Sequence, residues 1–143
     1  MRHRTLTAAL ALVAIVATAD RATTLDSSNY PMVPLLSTGT SIVGETIRYP
    51  TSGPAHVTAA IIALAPGAKT IVHKHGVPLF AYILEGELTV DYGEHGKRTY
   101  KPGQAFMEAM DVAHYGINTG TQPVRLIAVY MGAKGAEDVI PVK

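Results

Sequence analysis

The sequence predicts an all-β domain, either a small closed barrel or two packed sheets. Two observations carry that prediction. Short apolar runs alternate with turn signals at spacings of roughly 8–12 residues. Beyond residue 19 no stretch shows a sustained helical period with caps, and no repeat of about 20–50 residues is visible. Closure into a small antiparallel barrel would also bury the edges that many short strands expose.

Residues 1–19 stand apart from the domain. Arg2 and Arg4 make the start positive, residues 6–19 are almost unbroken small and aliphatic side chains, and Ala17-Thr18-Ala19 fits the A-x-A cleavage pattern of a secretory signal. A membrane anchor is the alternative, but crossing the hydrocarbon core takes about 20 apolar residues and this run is shorter. A signal peptide over residues 1–19 is therefore expected. It implies a periplasmic or secreted location and no stable membrane insertion after cleavage. No cysteine follows the apolar run to accept lipid, and no paired arginine marks the twin-arginine route.

The full chain carries 12 Lys and Arg against 11 Asp and Glu. Cleavage after Ala19 removes Arg2 and Arg4 but no acid, leaving ten basic and eleven acidic side chains in 124 residues. Such a balance offers no basic patch, so no nucleic-acid partner is expected. With no cysteine, an exported chain cannot rely on disulfides and must bury one hydrophobic core.

Residues 20–44 are polar and proline-bearing ("SSNYPMVPLLSTGTS" lies within them) and read as an arm preceding a domain at 45–143. Residues 56–64, "HVTAAIIAL", read as a buried strand ended by Pro66-Gly67. A second strand at 80–84 is broken by Glu85-Gly86. Residues 88–92 alternate apolar and polar, and "GEHG" turns the chain into a strand at 97–100. Pro102-Gly103 makes the next turn, before strands at 105–108, 114–118 and 124–131.

Five histidines follow residue 19. His95 falls in a polar turn and His56 opens a strand without a partner motif, so both read as structural. His73 and His75 differ. Residues i and i+2 of a strand face one side, about 7 Å apart, so two imidazoles there can converge on one cation at metal–nitrogen distances of about 2 Å. Lys74 then points away.

Gly67, His73, His75 and Gly86 resemble the first motif of the cupin superfamily, G-x5-H-x-H-x3-4-E-x6-G. Gly103, His114 and Asn118 resemble the second, G-x5-P-x-G-x2-H-x3-N, and the resemblance spans about residues 45–131. It implies a single-domain double-stranded β-helix, the jelly-roll barrel. It also implies one divalent metal (Fe, Mn, Zn, Ni or Cu) held by His73, His75 and His114, and a homodimer paired through its sheets. Three departures stand out. Leu79 occupies the place of the first motif's Glu, Ala109 that of the second motif's Pro, and Asp111 that of its Gly. The second-motif turn must therefore close by other chemistry, and an Asp side-chain oxygen at 111 can do it. Three neutral imidazoles can still hold a metal, and three-histidine cupins working as dioxygenases are part of what the resemblance implies; a site that has lost its metal is the opposing reading.

Glu108 is the one acid between Gly103 and Met110. It is read as a catalytic carboxylate, or a ligand supplied from another strand, against the alternative of a solvated strand end. Tyr82 and Tyr115 are candidate hydrogen-bond donors, with core packing favoured for Tyr82. Leu79, Phe80, Met107 and Met110 make the expected surroundings apolar, suited to a small, partly apolar, oxygen-containing ligand over a sugar phosphate. No G-x-S-x-G elbow, P-loop or dinucleotide fingerprint is present. Two function classes follow: a metal-dependent enzyme, dioxygenase-like or lyase/isomerase-like, and a non-catalytic metal- or ligand-binding barrel.

Overall fold

Alternation of apolar residues with turn chemistry produces nine strands and no α-helix among the described residues of the computed structural model, which are 31–143. The signal-peptide reading at 1–19 and the first part of the 20–44 arm lie outside them. The strands are β1 (Ala55–Leu64), β2 (His73–Lys74), β3 (Leu79–Glu85), β4 (Leu88–Asp91), β5 (Lys97–Tyr100), β6 (Ala105–Met107), β7 (Tyr115–Asn118), β8 (Val124–Ala133) and β9 (Ile140–Pro141). The predicted "GEHG" turn is a single 3-10 turn, Gly93–His95. No helix among the described residues is long and apolar enough to cross a membrane.

One antiparallel sheet has the order β1-β8-β3-β6, a second β5-β4-β7, and β2 pairs with β9. Together, within Pro34–Lys143, they form the jelly-roll barrel. Inward-facing residues come from alternate positions: Leu79, Ala81 and Ile83 on β3, Leu88 and Val90 on β4, Val124, Leu126 and Ala128 on β8, with Phe106 stacked on Tyr100 at 3.7 Å. The Asn118 amide is fully buried and donates to the carbonyls of Leu64 and Gln122, tying the end of β1 to the turn before β8.

Strand β1 corrects one expectation. It is an edge strand of the larger sheet and not a buried strand; Val57 is 59% and Ile61 58% exposed. Its apolar run is continuous, and such a run cannot show which face is covered. Only Ile62 and Leu64 reach the interior, while Val57, Ala59 and Ile61 share the outer face with Met131, Val129 and Ile127 of β8. Residues 40–46, astride the boundary between arm and domain, form a tight reversal in which Thr40 bridges Thr46 and the Ile42 N–H bonds the Met107 carbonyl beside β6.

Candidate metal centre

Sheet register brings the three histidines together. His73 and His114 are directly opposed and exchange both backbone hydrogen bonds, at 2.9 and 3.0 Å. Opposed residues of an antiparallel pair present their side chains on one face, and His75 follows two positions after His73. The ring centroids lie 4.6 to 5.1 Å apart, and the ligating nitrogens all fall within 4.8 Å of one another. Among the described residues this is the one group of three or more potential ligands so placed.

Each ring is oriented by a backbone carbonyl. Nδ1 of His73 bonds Ile71 O at 2.8 Å, that of His75 bonds Asp138 O at 2.8 Å, and that of His114 bonds Val112 O at 2.9 Å. A carbonyl only accepts, so each Nδ1 carries the proton and each Nε2 presents its lone pair. The Nε2 atoms of His75 and His114 are buried without a hydrogen-bond partner. Burial holds all three imidazoles below the ordinary histidine range, His75 at about 4, which keeps them in the neutral form that a metal needs. Two bonds of about 2.1 Å span at most ~4.2 Å, so a sub-ångström adjustment lets the three nitrogens share one cation. The donor set fits a divalent metal.

Leu79 and Glu108 complete the surroundings. The Phe80–Met107 register puts Glu108 directly across from Leu79, and the Glu108 N–H bonds the Leu79 carbonyl at 2.9 Å. Both line the cavity of the histidines, about 60 Å³ in volume. The motif's carboxylate is thus missing from β3, while another stands one strand away, after β6. Glu108 is 6% exposed, which excludes the solvated alternative. Burial raises its carboxyl to about 7, against the Tyr92 hydroxyl and the Ala109 N–H, which favour the ionised form. Its Oε2 lies 3.9 Å from His114 Nε2, too long for a hydrogen bond, while Oε1 accepts from Ala109 N–H at 2.8 Å. Proline at 109 would delete that donor.

Other expected neighbours fall elsewhere. Phe80 and Met107 point to the outer face, where they line a separate groove of about 420 Å³ with Val129 and Met131, because strand alternation sends 80 opposite to 79 and 107 opposite to 108. Tyr82 shares their side, and the Tyr115 hydroxyl donates to Asp91 at 3.1 Å. Tyr92 and Tyr130 take the positions near the histidines, with ring centroids 5.6 Å from His114 and His75 respectively. Tyr92 also shares its hydroxyl with Tyr100 at 2.9 Å. The inward alternation Leu88, Val90, Tyr92 was the available signal for Tyr92.

The second-motif turn closes on a residue that sequence reading passed over. Among the described residues the Asp111 carboxylate accepts no hydrogen bond, contrary to expectation. Glu45 does so instead: Oε2 accepts from the Met110 N–H at 2.8 Å, and Oε1 from the N–H groups of Asp111 and Val112 at 2.8 and 3.1 Å. Burial pushes the Glu45 carboxyl up, but these donors and the Ser41 hydroxyl outweigh it and hold it below the usual carboxylate value.

Barrel, motif positions and histidine cluster define a cupin, and the cupin domain family (Cupin_2) matches residues 60–130. The chain belongs to the cupin superfamily. Among solved structures it is similar to the polyketide cyclase RemF from Streptomyces resistomycificus, at 20% identity and a TM-score of 0.54, over 70% of this chain and 69% of that one. It is also similar to the oxalate decarboxylase of Lactobacillus farciminis, at 22% identity and a TM-score of 0.51, over 60% of this chain. It spans about a quarter of that enzyme, 26%. At these identities the likeness concerns the fold. No curated protein matches the chain.

Proposed function

We propose that this cupin binds one divalent metal through His73, His75 and His114 and acts on a small, partly apolar, oxygen-containing molecule. The observation that carries the reading is the convergence of three carbonyl-oriented, neutral imidazoles within 4.8 Å in a buried cavity. A bound metal would polarise an oxygen of the ligand or serve as a redox centre, in a dioxygenase-like or a lyase/isomerase-like reaction. The chain's own residues set the limits. About 60 Å³ admits only a handful of water-sized atoms, and Ile62, Leu79, Ala81, Val90 and Leu126 make the walls apolar. No Arg or Lys lines the cavity to recognise a phosphate. Glu108, with a carboxyl near neutrality, takes or returns a proton beside the ligand. The tripartite start at 1–19 supports export, and the exposed apolar outer face of β1 supports a homodimer.

Protein recovered from the export compartment of a secreting bacterium tests the reading in one preparation. Its intact mass is expected to lack residues 1–19, and elemental analysis to give about one metal per chain. His73→Ala, His75→Ala and His114→Ala should each lose most of the metal, and His95→Ala none. Glu108→Gln should keep the metal and lose turnover in a small-substrate oxygen-consumption or lyase screen. Unchanged metal in all three histidine variants would refute the site. Loss of metal from Glu108→Gln would make Glu108 a ligand and not an acid–base group.

A further inference from the structure

We infer that Glu45 is a positioning residue for the metal centre: the 110–112 turn closes around its carboxylate, which through Val112 fixes the imidazole of His114. The inference rests on the reading of His114 as a ligand. Three successive backbone N–H groups, those of Met110, Asp111 and Val112, point at one carboxylate, an anion-binding nest made by the chain for its own side chain. Ser41 adds a fourth donor, its hydroxyl 2.8 Å from Oε2. A charged acceptor makes each of these bonds stronger than a neutral one.

The local sequence explains why the carboxylate is required. A Pro–x–Gly segment fixes such a turn by its own backbone preferences; here 109 is Ala, 111 is Asp, and no non-glycine residue among the described residues has positive φ. Nothing intrinsic to Ala109-Met110-Asp111 selects this conformation. Alanine at 109 keeps the N–H that Glu108 uses, and the turn, without a proline of its own, is held from outside. Glu45 can serve because it sits in the reversal of 40–46, where Gly44 takes φ +89 and Ser41 and Glu45 exchange backbone and side-chain bonds. That reversal is anchored by the Ile42 N–H on the Met107 carbonyl, and by Ile42 and Val43 against the core.

The path to the site is short. Val112 donates its N–H to Glu45 Oε1 and accepts the His114 Nδ1–H on its carbonyl. Displacing the turn therefore moves the acceptor that sets both the tautomer and the direction of His114. The rings of His73 and His75 take their acceptors from Ile71 and Asp138, outside the turn, although the His75 main-chain N–H bonds the Met110 carbonyl within it.

The test is Glu45→Gln in the full mature chain. The amide keeps the size but can satisfy only one side of the nest. In metal-free protein, nitrogen NMR of the imidazoles should show His114 losing its single Nδ1–H tautomer while His73 and His75 keep theirs. Zinc alone, titrated against a chelator, should bind about 10-fold more weakly than to wild type. Should Glu45→Gln not fold, Ser41→Ala removes one of the four bonds and should give a smaller change in the same direction at His114. Wild-type zinc affinity with an unchanged His114 tautomer overturns the inference, as does an equal change at all three imidazoles. Failure of the wild type itself to bind zinc refutes the metal reading instead, and the metal-free tautomer measurement still decides the role of Glu45.

Discussion

Leu79 faces Glu108 across β3 and β6, so the change Leu79→Glu would put two carboxylates on neighbouring strands of one small cavity. With three neutral imidazoles alone, a cation keeps its full charge to act on bound anions. A carboxylate at 79 removes part of that charge and adds a bond. Leu79→Glu/Glu108→Leu, which moves the acid to the family position, is expected to hold zinc about 10-fold more tightly in chelator competition and to bind small anions more weakly. If neither property changes, position 79 does not reach the metal. At this scale the three histidines were legible because strand alternation and motif spacing both act on side chains. Glu45 was not, since its partners are backbone N–H groups brought close by folding. Phe80 and Met107 lie on the outer face, away from the site, because strand alternation and not nearness in sequence to Leu79 and Glu108 decides which side a residue takes.

Strand β9 and the segment leading to it show what a single element contributes. Residues 134–141 return beneath the site: Ile140 and Pro141 pair with Lys74 and His73, and the Asp138 carbonyl orients His75. A Cβ on Gly76 would stand 2.5 Å from the Glu137 carbonyl, so the segment packs on bare backbone there. Ending the chain after Ala136 is expected to leave the Tyr100–Phe106 core folded while zinc affinity falls about 10-fold, through loss of the His75 tether. Gly76→Ala should act in the same direction by pushing the segment off. Retained affinity in both variants would show that His75 needs no such partner. Seven of the nine strands were legible within a residue or two at most ends, since each is an apolar or alternating run bounded by turn residues. Two-residue β2 and β9 are too short to form one.

For the whole molecule the buried titratable groups set how stability depends on pH. Burial lowers the folded pKa of His73, His75 and His114 from 6.5, that of His75 to about 4. A depressed histidine gives stability that is present above its unfolded value and lost as pH falls through the folded one. Glu108 has the opposite sign. Its pKa is raised by burial from 4.5 to about 7, so folding gains as it takes up a proton between those values. One carboxyl offsets about one imidazole and two imidazoles remain, so metal-free protein should lose stability from about pH 6.5 to 4. Glu108→Gln lacks the offset and should lose roughly 3 kcal/mol more over that interval in denaturant titrations. Equal pH slopes for the two proteins would refute a buried, titrating Glu108.

The three Nδ1 acceptors have one more consequence. Each is a main-chain oxygen, of Ile71, Val112 or Asp138, and a main-chain oxygen is present whatever side chain the residue bears. The orienting layer around the histidines is therefore written in the path of the chain and not in its letters. Mutational drift at 71, 112 and 138 can proceed without disturbing the imidazoles, provided that the path is kept.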